Sequence, residues 1–155
     1  MGRYIEEILQ PDEKVLYSTK IHWIVYLPGI LAWIVAILLF ALQRGDSTEM
    51  LNIVWLTLSG VSALIAAYWT LLAWFQRFTN ETDVTTLRVV HKEGFIQRQT
   101  FEMNLDKVES VDVSQSIPAR IFGYGDVTIR GVGEGDKAIK MIASPIRFRN
   151  HITAR

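Results

Sequence analysis

Three histidines, His22, His91 and His151, are the side chains that could move protons near neutral pH. Each would need a partner to do chemistry. Hydrolysis requires a nucleophile, a base and an orienting acid brought together in space. Serines are present, but no nucleophile-elbow or related signature surrounds any of them. Asp106, Glu109 and Asp112 fall on strand or turn positions, where carboxylates read as solvated surface charge rather than as general acids or bases. The chain has no cysteine, which removes disulfides, cysteine-ligated zinc, iron–sulfur clusters and thiol nucleophiles. No H-E-x-x-H or EF-hand spacing occurs, so neither a metal nor another cofactor is expected. The glycine loops G-Y-G-D (123–126) and G-V-G-E-G-D (131–136) lack the strand–loop–helix setting and the Lys-Ser/Thr of a phosphate cradle. They read as turns. The sequence reads as that of a non-enzyme.

A basic set offers a different chemistry, the holding of anionic headgroups or of an acidic partner. It comprises Arg98, Arg120, Arg130, Lys137, Lys140, Arg147 and Arg149. Each basic side chain near an anionic bilayer adds about 1 kcal/mol of attraction. Asp126, Glu134 and Asp136 are interspersed among them, and an ordinary mixed-charge surface accounts for the set as well. Arg120 is also a candidate to brace the Asp112 side of a sheet. Lys+Arg 16 against Asp+Glu 16 gives a formal net charge of zero, which argues against nucleic acid.

The elements that would position these residues divide sharply. All five Trp (23, 33, 55, 69 and 74) lie in the first half, whereas only Arg3, Lys14, Lys20 and Arg44 of the 16 basic residues precede position 75. Residues 23–42 are 20 consecutive uncharged positions, and residues 51–75 add 25 more. A bilayer core about 30 Å thick needs roughly 20 helical residues. The spacing predicts a transmembrane helical hairpin over 23–75, with the loop at 43–50. The first run does not read as a cleaved leader, because 22 residues containing Glu6, Glu7, Asp12 and Glu13 precede it. The bias of Lys and Arg places both ends in the cytoplasm and the loop outside, hence an integral inner-membrane protein. Pro28-Gly29 is positioned to kink the first helix. Ser59, Ala63 and Ala67, with Gly60 beside them, form a small-residue stripe suited to helix packing; small residues also simply occur in such helices. No Asp, Glu, Lys, Arg or His interrupts either span, which argues against ion translocation through the pair alone.

Residues 1–22 read as a short amphipathic helix around Tyr4, Ile5, Ile8 and Leu9, then a strand-like lead-in, KVLYSTK, able to add an edge strand. Residues 76–155 carry five strand-like runs. TLRVVHKEG and FIQRQTFEMN pair as one hairpin, VESVDVSQS follows, and GDVTIRGV with KAIKMIAS forms another hairpin. Along VESVDVSQS, alternation sets Val108, Ser110 and Asp112 on one side, and Glu109, Val111 and Val113 on the other. SIPARIFG reads as a helical turn closed by Gly123, and Ser144-Pro145 as the cap of a terminal helix. A small, strongly bent sheet capped by that helix is expected.

Thr79-Asn80, Leu105 to Ser116 (LDKVESVDVSQS) and Arg120 to Gly131 (RIFGYGDVTIRG) carry a resemblance to the bacterial pleckstrin-homology-like (YdbS-like) membrane proteins. It covers residues 79–149, and the preceding two-helix hairpin with its K-I-H-W entry is similar too. The resemblance implies a membrane α+β protein, its transmembrane hairpin followed by a PH-like half-barrel with a C-terminal capping helix. It brings no catalytic residues and no ligand. One departure is Glu81-Thr82-Asp83, an acidic strand entry where relatives carry a basic or small residue. The expected function is a membrane-anchored, non-enzymatic binding and assembly module that engages a protein partner, a second copy of itself or lipid headgroups. The alternatives are an accessory subunit of an export, transport or stress-response complex and, less favoured, a lipid-acting enzyme for which His22 is the one obvious candidate.

Overall fold

Val, Ile and Thr are frequent between residues 81 and 143, in short runs separated by turns, and this stretch supplies six strands. A seventh comes from the N-terminal segment. The computed structural model describes residues 4–42, 49–94, 99–133 and 135–154. They divide into two compact units: Met1–His22 with Gln76–Arg155, and Trp23–Phe75.

In the first unit, β1 (Val15–Thr19), β2 (Glu81–Thr85), β3 (Arg88–Glu93) and β4 (Gln99–Asn104) form an antiparallel sheet in that order. A second sheet has the order β5 (Val108–Ser114), β6 (Tyr124–Gly131) and β7 (Gly135–Ala143). Helix α1 (Tyr4–Ile8) buries Ile5 and donates the Tyr4 N–H to Glu81 Oε2 at 2.9 Å. Residues 1–22 therefore join the β unit, β1 serving as the edge strand of the first sheet. Val84, Val89 and Met103 from one sheet meet Val127, Ile129, Ile139 and Ile142 from the other in a single core. The terminal helix, Pro145–Thr153, closes that core with Phe148 and Ile152. Its Ser144 sits at φ 51° and makes no side-chain cap. Its N–H instead donates to Gly123 O, and Pro145 starts the helix.

A bulge between Val108 and Ser110 changes the phase of β5. Val108 consequently packs on the core beside Val111 and Val113, not on the Asp112 side as strict alternation predicts. A second bulge, between Gly125 and Val127 on β6, leaves an extra residue on β7, where Met141 takes φ 53°. Asp126 Oδ1 accepts the Met141 N–H at 2.8 Å, and Met141 O accepts the His22 N–H at 2.7 Å.

In the second unit the chain makes a 3-10 turn over Trp23–Tyr26 before the next helix, α2 (Leu27–Leu42). Pro28 lies in the first turn of α2, where its missing N–H costs nothing, so it starts the helix rather than kinking it. Helix α3 covers Glu49–Thr79. The buried residues are Gly29 and Ala36 on α2, and Ser59, Ala66 and Ala73 on α3. They recur every seventh position, the spacing of a left-handed packed seam. A Cβ on Gly29 would lie 2.8 Å from Thr70 Oγ1, so only glycine permits this approach. Trp33 Nε1–H donates to Thr70 Oγ1 at 3.2 Å, satisfying an indole that would otherwise be orphaned.

The expected fold class of a transmembrane hairpin joined to a PH-like half-barrel requires correction. The strands form two separate sheets, of four and three strands, and neither closes into a barrel. The chain turns away from closure at residues 105–107, a 3-10 turn that ends one sheet and begins the other. The two apolar segments, Trp23–Leu42 and Glu49–Thr79, reach mean hydropathy 2.5 and 1.8 and are long and apolar enough to cross a membrane by length and composition only.

Candidate functional site

The sequence-predicted basic residues do not converge. Arg120 lies on α4 (Ile117–Phe122), Arg130 near the end of β6, Lys140 on β7, and Arg147 and Arg149 on the terminal helix, α5; all are exposed. Arg98 lies outside the described residues. About 20 Å of strand separates Tyr124, next to α4, from Arg130, at roughly 3.3 Å per residue. Arg130 is moreover occupied, 3.2 Å from Asp112 and 3.5 Å from Asp136. Asp112 thus pairs with Arg130 and not with Arg120. Lys137 is bonded to Glu93 Oε1 at 2.6 Å, which ties β7 to β3 across the two sheets. Arg120, Lys140, Arg147 and Arg149 form no ion pair with a described carboxylate.

Of the small-residue stripe, Ser59 is in the buried seam, Ala63 and Ala67 are half-buried, and Gly60 faces open space. The hollow beside Gly60 is apolar and is lined by Trp33, Ile37, Phe40 and Ala63.

The histidines are held by the fold. His91 Nδ1 lies 2.7 Å from Thr82 Oγ1 and its Nε2 3.4 Å from Glu93 Oε2, an order of hydroxyl, imidazole and carboxylate found in hydrolases. Both Thr82 and His91 are buried within the sheet, so no substrate reaches the hydroxyl. Burial holds the imidazole below its usual pKa, and nearby Glu93 opposes this only in part. The Lys137 hydrogen bond holds the Glu93 carboxyl below the ordinary range. His22 stacks on Tyr124 with ring centroids 5.3 Å apart, and burial and then Arg77 lower its pKa. His151 stacks on Tyr17 at 4.6 Å. No group of three or more metal-ligating side chains occurs among the described residues.

Two features were not visible in the sequence. Glu13, with a fully buried side chain, receives Arg88 Nε–H at 3.1 Å and an Arg88 terminal N–H at 3.0 Å. Arg88 also reaches Glu102 at 2.7 Å and Ile8 O at 2.7 Å. An acidic N-terminal segment and an arginine on a valine-rich strand were the only signals, and nothing in their spacing links them. The second is the outer face of α4, a helical turn whose existence the sequence does announce. Ser116 caps it by accepting the Ala119 N–H at 3.4 Å, Ala119 anchors it in the core, and Gly123 at φ 77° ends it. Ile117, Ile121 and Phe122 point away from the core and are 80%, 76% and 51% exposed.

An N-terminal clasp and a two-sheet core closed by a C-terminal helix make up the β unit. The sequence profile of the Bacterial PH domain family matches residues 21–155. The chain belongs to that family. No curated protein and no solved structure gave a match in the corresponding comparisons. PH-domain family proteins are typically non-catalytic scaffolds that mediate protein or lipid interactions, and this PH-domain chain is a non-enzymatic module of that kind. The match takes in both apolar helices as well as the sheets from β2 onward, and leaves β1 outside it.

Proposed function

We propose that the chain is a PH-like binding module anchored in a membrane by α2 and α3, with its β unit held at the cytoplasmic face. The observation that carries this reading is the exposure of the helix pair. Leu31, Ile37, Leu38, Ile53, Leu64 and Leu71 are each more than half exposed on helices that bury little besides their mutual seam. Apolar surface of that extent is tolerated in lipid and not in water. Anchoring raises the local concentration of the β unit at its target without a new contact. The exposed cations Arg120, Lys140, Arg147 and Arg149 are those free to meet anionic headgroups or an acidic partner; Arg130 is engaged by Asp112 and Asp136. Alkaline carbonate extraction of membranes containing the full chain tests the anchoring. The protein is expected to remain in the pellet, and its release into the supernatant overturns the reading.

A further inference from the structure

We infer that α4 is a lipid-contacting wedge: Ile117, Ile121 and Phe122 enter the headgroup–acyl boundary of the same membrane that holds the apolar helices. The inference rests on the anchoring reading and adds a second point of attachment on the β unit itself.

Three observations on the β unit support it. The first is exposure. Three large apolar side chains on a six-residue helix are each at least half exposed, while the same helix keeps Ala119 buried. A water-facing helix of this kind normally carries polar residues on its outer side. The second is position. His22 is the last residue before the first apolar run. Ile21 pairs with Ile142, the His22 N–H donates to Met141 O, and the Ala143 N–H donates to Lys20 O. Ala143 and Ile142 in turn pair with Tyr124 and Gly125, the two residues that follow the Gly123 cap of α4. Two strand spacings, about 10 Å, therefore separate the backbone at His22 from the end of α4. The rings of His22 and Tyr124 are in direct contact. The end of the β unit that carries α4 is the end where the chain leaves for the membrane.

The third observation is charge. Arg120 stands on the outer surface of α4 between Ile117 and Ile121 in sequence, and no described carboxylate pairs with it. A cation among apolar side chains suits an anionic interface, where the apolar groups enter and the guanidinium stays among the phosphates. A protein partner would also accept apolar side chains, but position next to the membrane entry favours lipid.

Because the chain lacks cysteine, single-cysteine variants Ile121→Cys, Glu109→Cys and Leu64→Cys can each carry one environment-sensitive fluorophore. The full chain is reconstituted into phosphatidylglycerol–phosphatidylethanolamine vesicles, with nitroxide lipids quenching either near the headgroups or deep in the acyl region. Insertion of an interfacial helix reaches roughly 5–10 Å into the boundary, so shallow nitroxides should remove about half of the emission at position 121. Position 109, exposed on β5, should be unaffected, and position 64 should be quenched by the deep probe. If position 121 behaves like 109 while 64 is quenched, the wedge is overturned and the anchoring stands. If 64 is not quenched either, anchoring fails and the wedge with it. An emission shift at 121 that grows with protein-to-lipid ratio without quenching means that a second copy covers α4, which also overturns the wedge.

Discussion

Replacing Arg88 by methionine should loosen the N-terminal clasp by about 3–5 kcal/mol, because it leaves a buried carboxylate without its cation. Glu13 accepts two Arg88 N–H groups, the Thr85 hydroxyl at 2.6 Å and the Gln10 N–H at 2.9 Å, with its side chain fully buried. The same guanidinium holds Ile8 O and Glu102. One side chain thus fastens α1, the turn before β1, and strands β3 and β4. Burial alone would raise the Glu13 carboxyl; the hydrogen bonds from Gln10, Thr85 and Arg88 outweigh it and place its pKa below the usual value. Since the folded value is depressed, this stability is present above the unfolded carboxylate pKa and is lost as pH falls through the folded one. Hydrogen exchange of the β1 amides measures the effect directly. Exchange is expected to accelerate roughly a hundredfold or more, as 1.4 kcal/mol is a factor of ten. Adding Glu13→Gln to Arg88→Met should recover much of the loss, because no buried charge then remains. Unchanged exchange in the single variant would show that the clasp contributes little.

Phe148→Ala is the second large effect, about 3–5 kcal/mol. Phe148 is fully buried, lies 6.5 Å from the Tyr17 ring, and fills the core between the sheets from α5. The two sheets cannot collapse onto the vacated space without sliding past one another, so most of the cavity should persist. A urea titration of the full chain in detergent should show a clearly lower midpoint for the β unit. Arg147→Ala, one residue away and exposed, should change it by less than about 0.5 kcal/mol. Equal midpoints for the two variants would mean that α5 is not part of the core.

How much of this was legible in the sequence depended on whether the signal was local. The apolar runs, the hairpin of β3 with β4 and that of β6 with β7, the capped turn at Ser116–Gly123 and the Pro145 helix all announce themselves within ten or so residues. Strand pairing over long separations does not. Val15 finds Thr85 and Glu13 finds Arg88 across the whole apolar hairpin, and nothing in one segment names the other. The bulge at Val108–Ser110 was hidden for a different reason. One inserted residue reverses which face a strand's valines take, and alternation cannot detect it. Within the helix pair, the buried positions on α3 recur every seven residues, and the four-residue stripe shares only Ser59 with them. Around the candidate site, the basic residues were visible as a list. That Arg130 is neutralised and that α4 turns three apolar side chains outward are facts of three-dimensional register.

The most direct measurement is the sidedness of single cysteines at Lys14, Met50 and Glu109, read with a membrane-impermeant maleimide on right-side-out and inverted vesicles. Lys14 and Glu109 belong to the one β unit, whereas Met50 opens α3 beside the loop between the apolar helices. Lys14 and Glu109 should label from the cytoplasmic face and Met50 from the opposite face. Labelling of Met50 from the same face as the other two, or of Lys14 and Glu109 from different faces, would contradict a β unit anchored by a membrane-spanning hairpin.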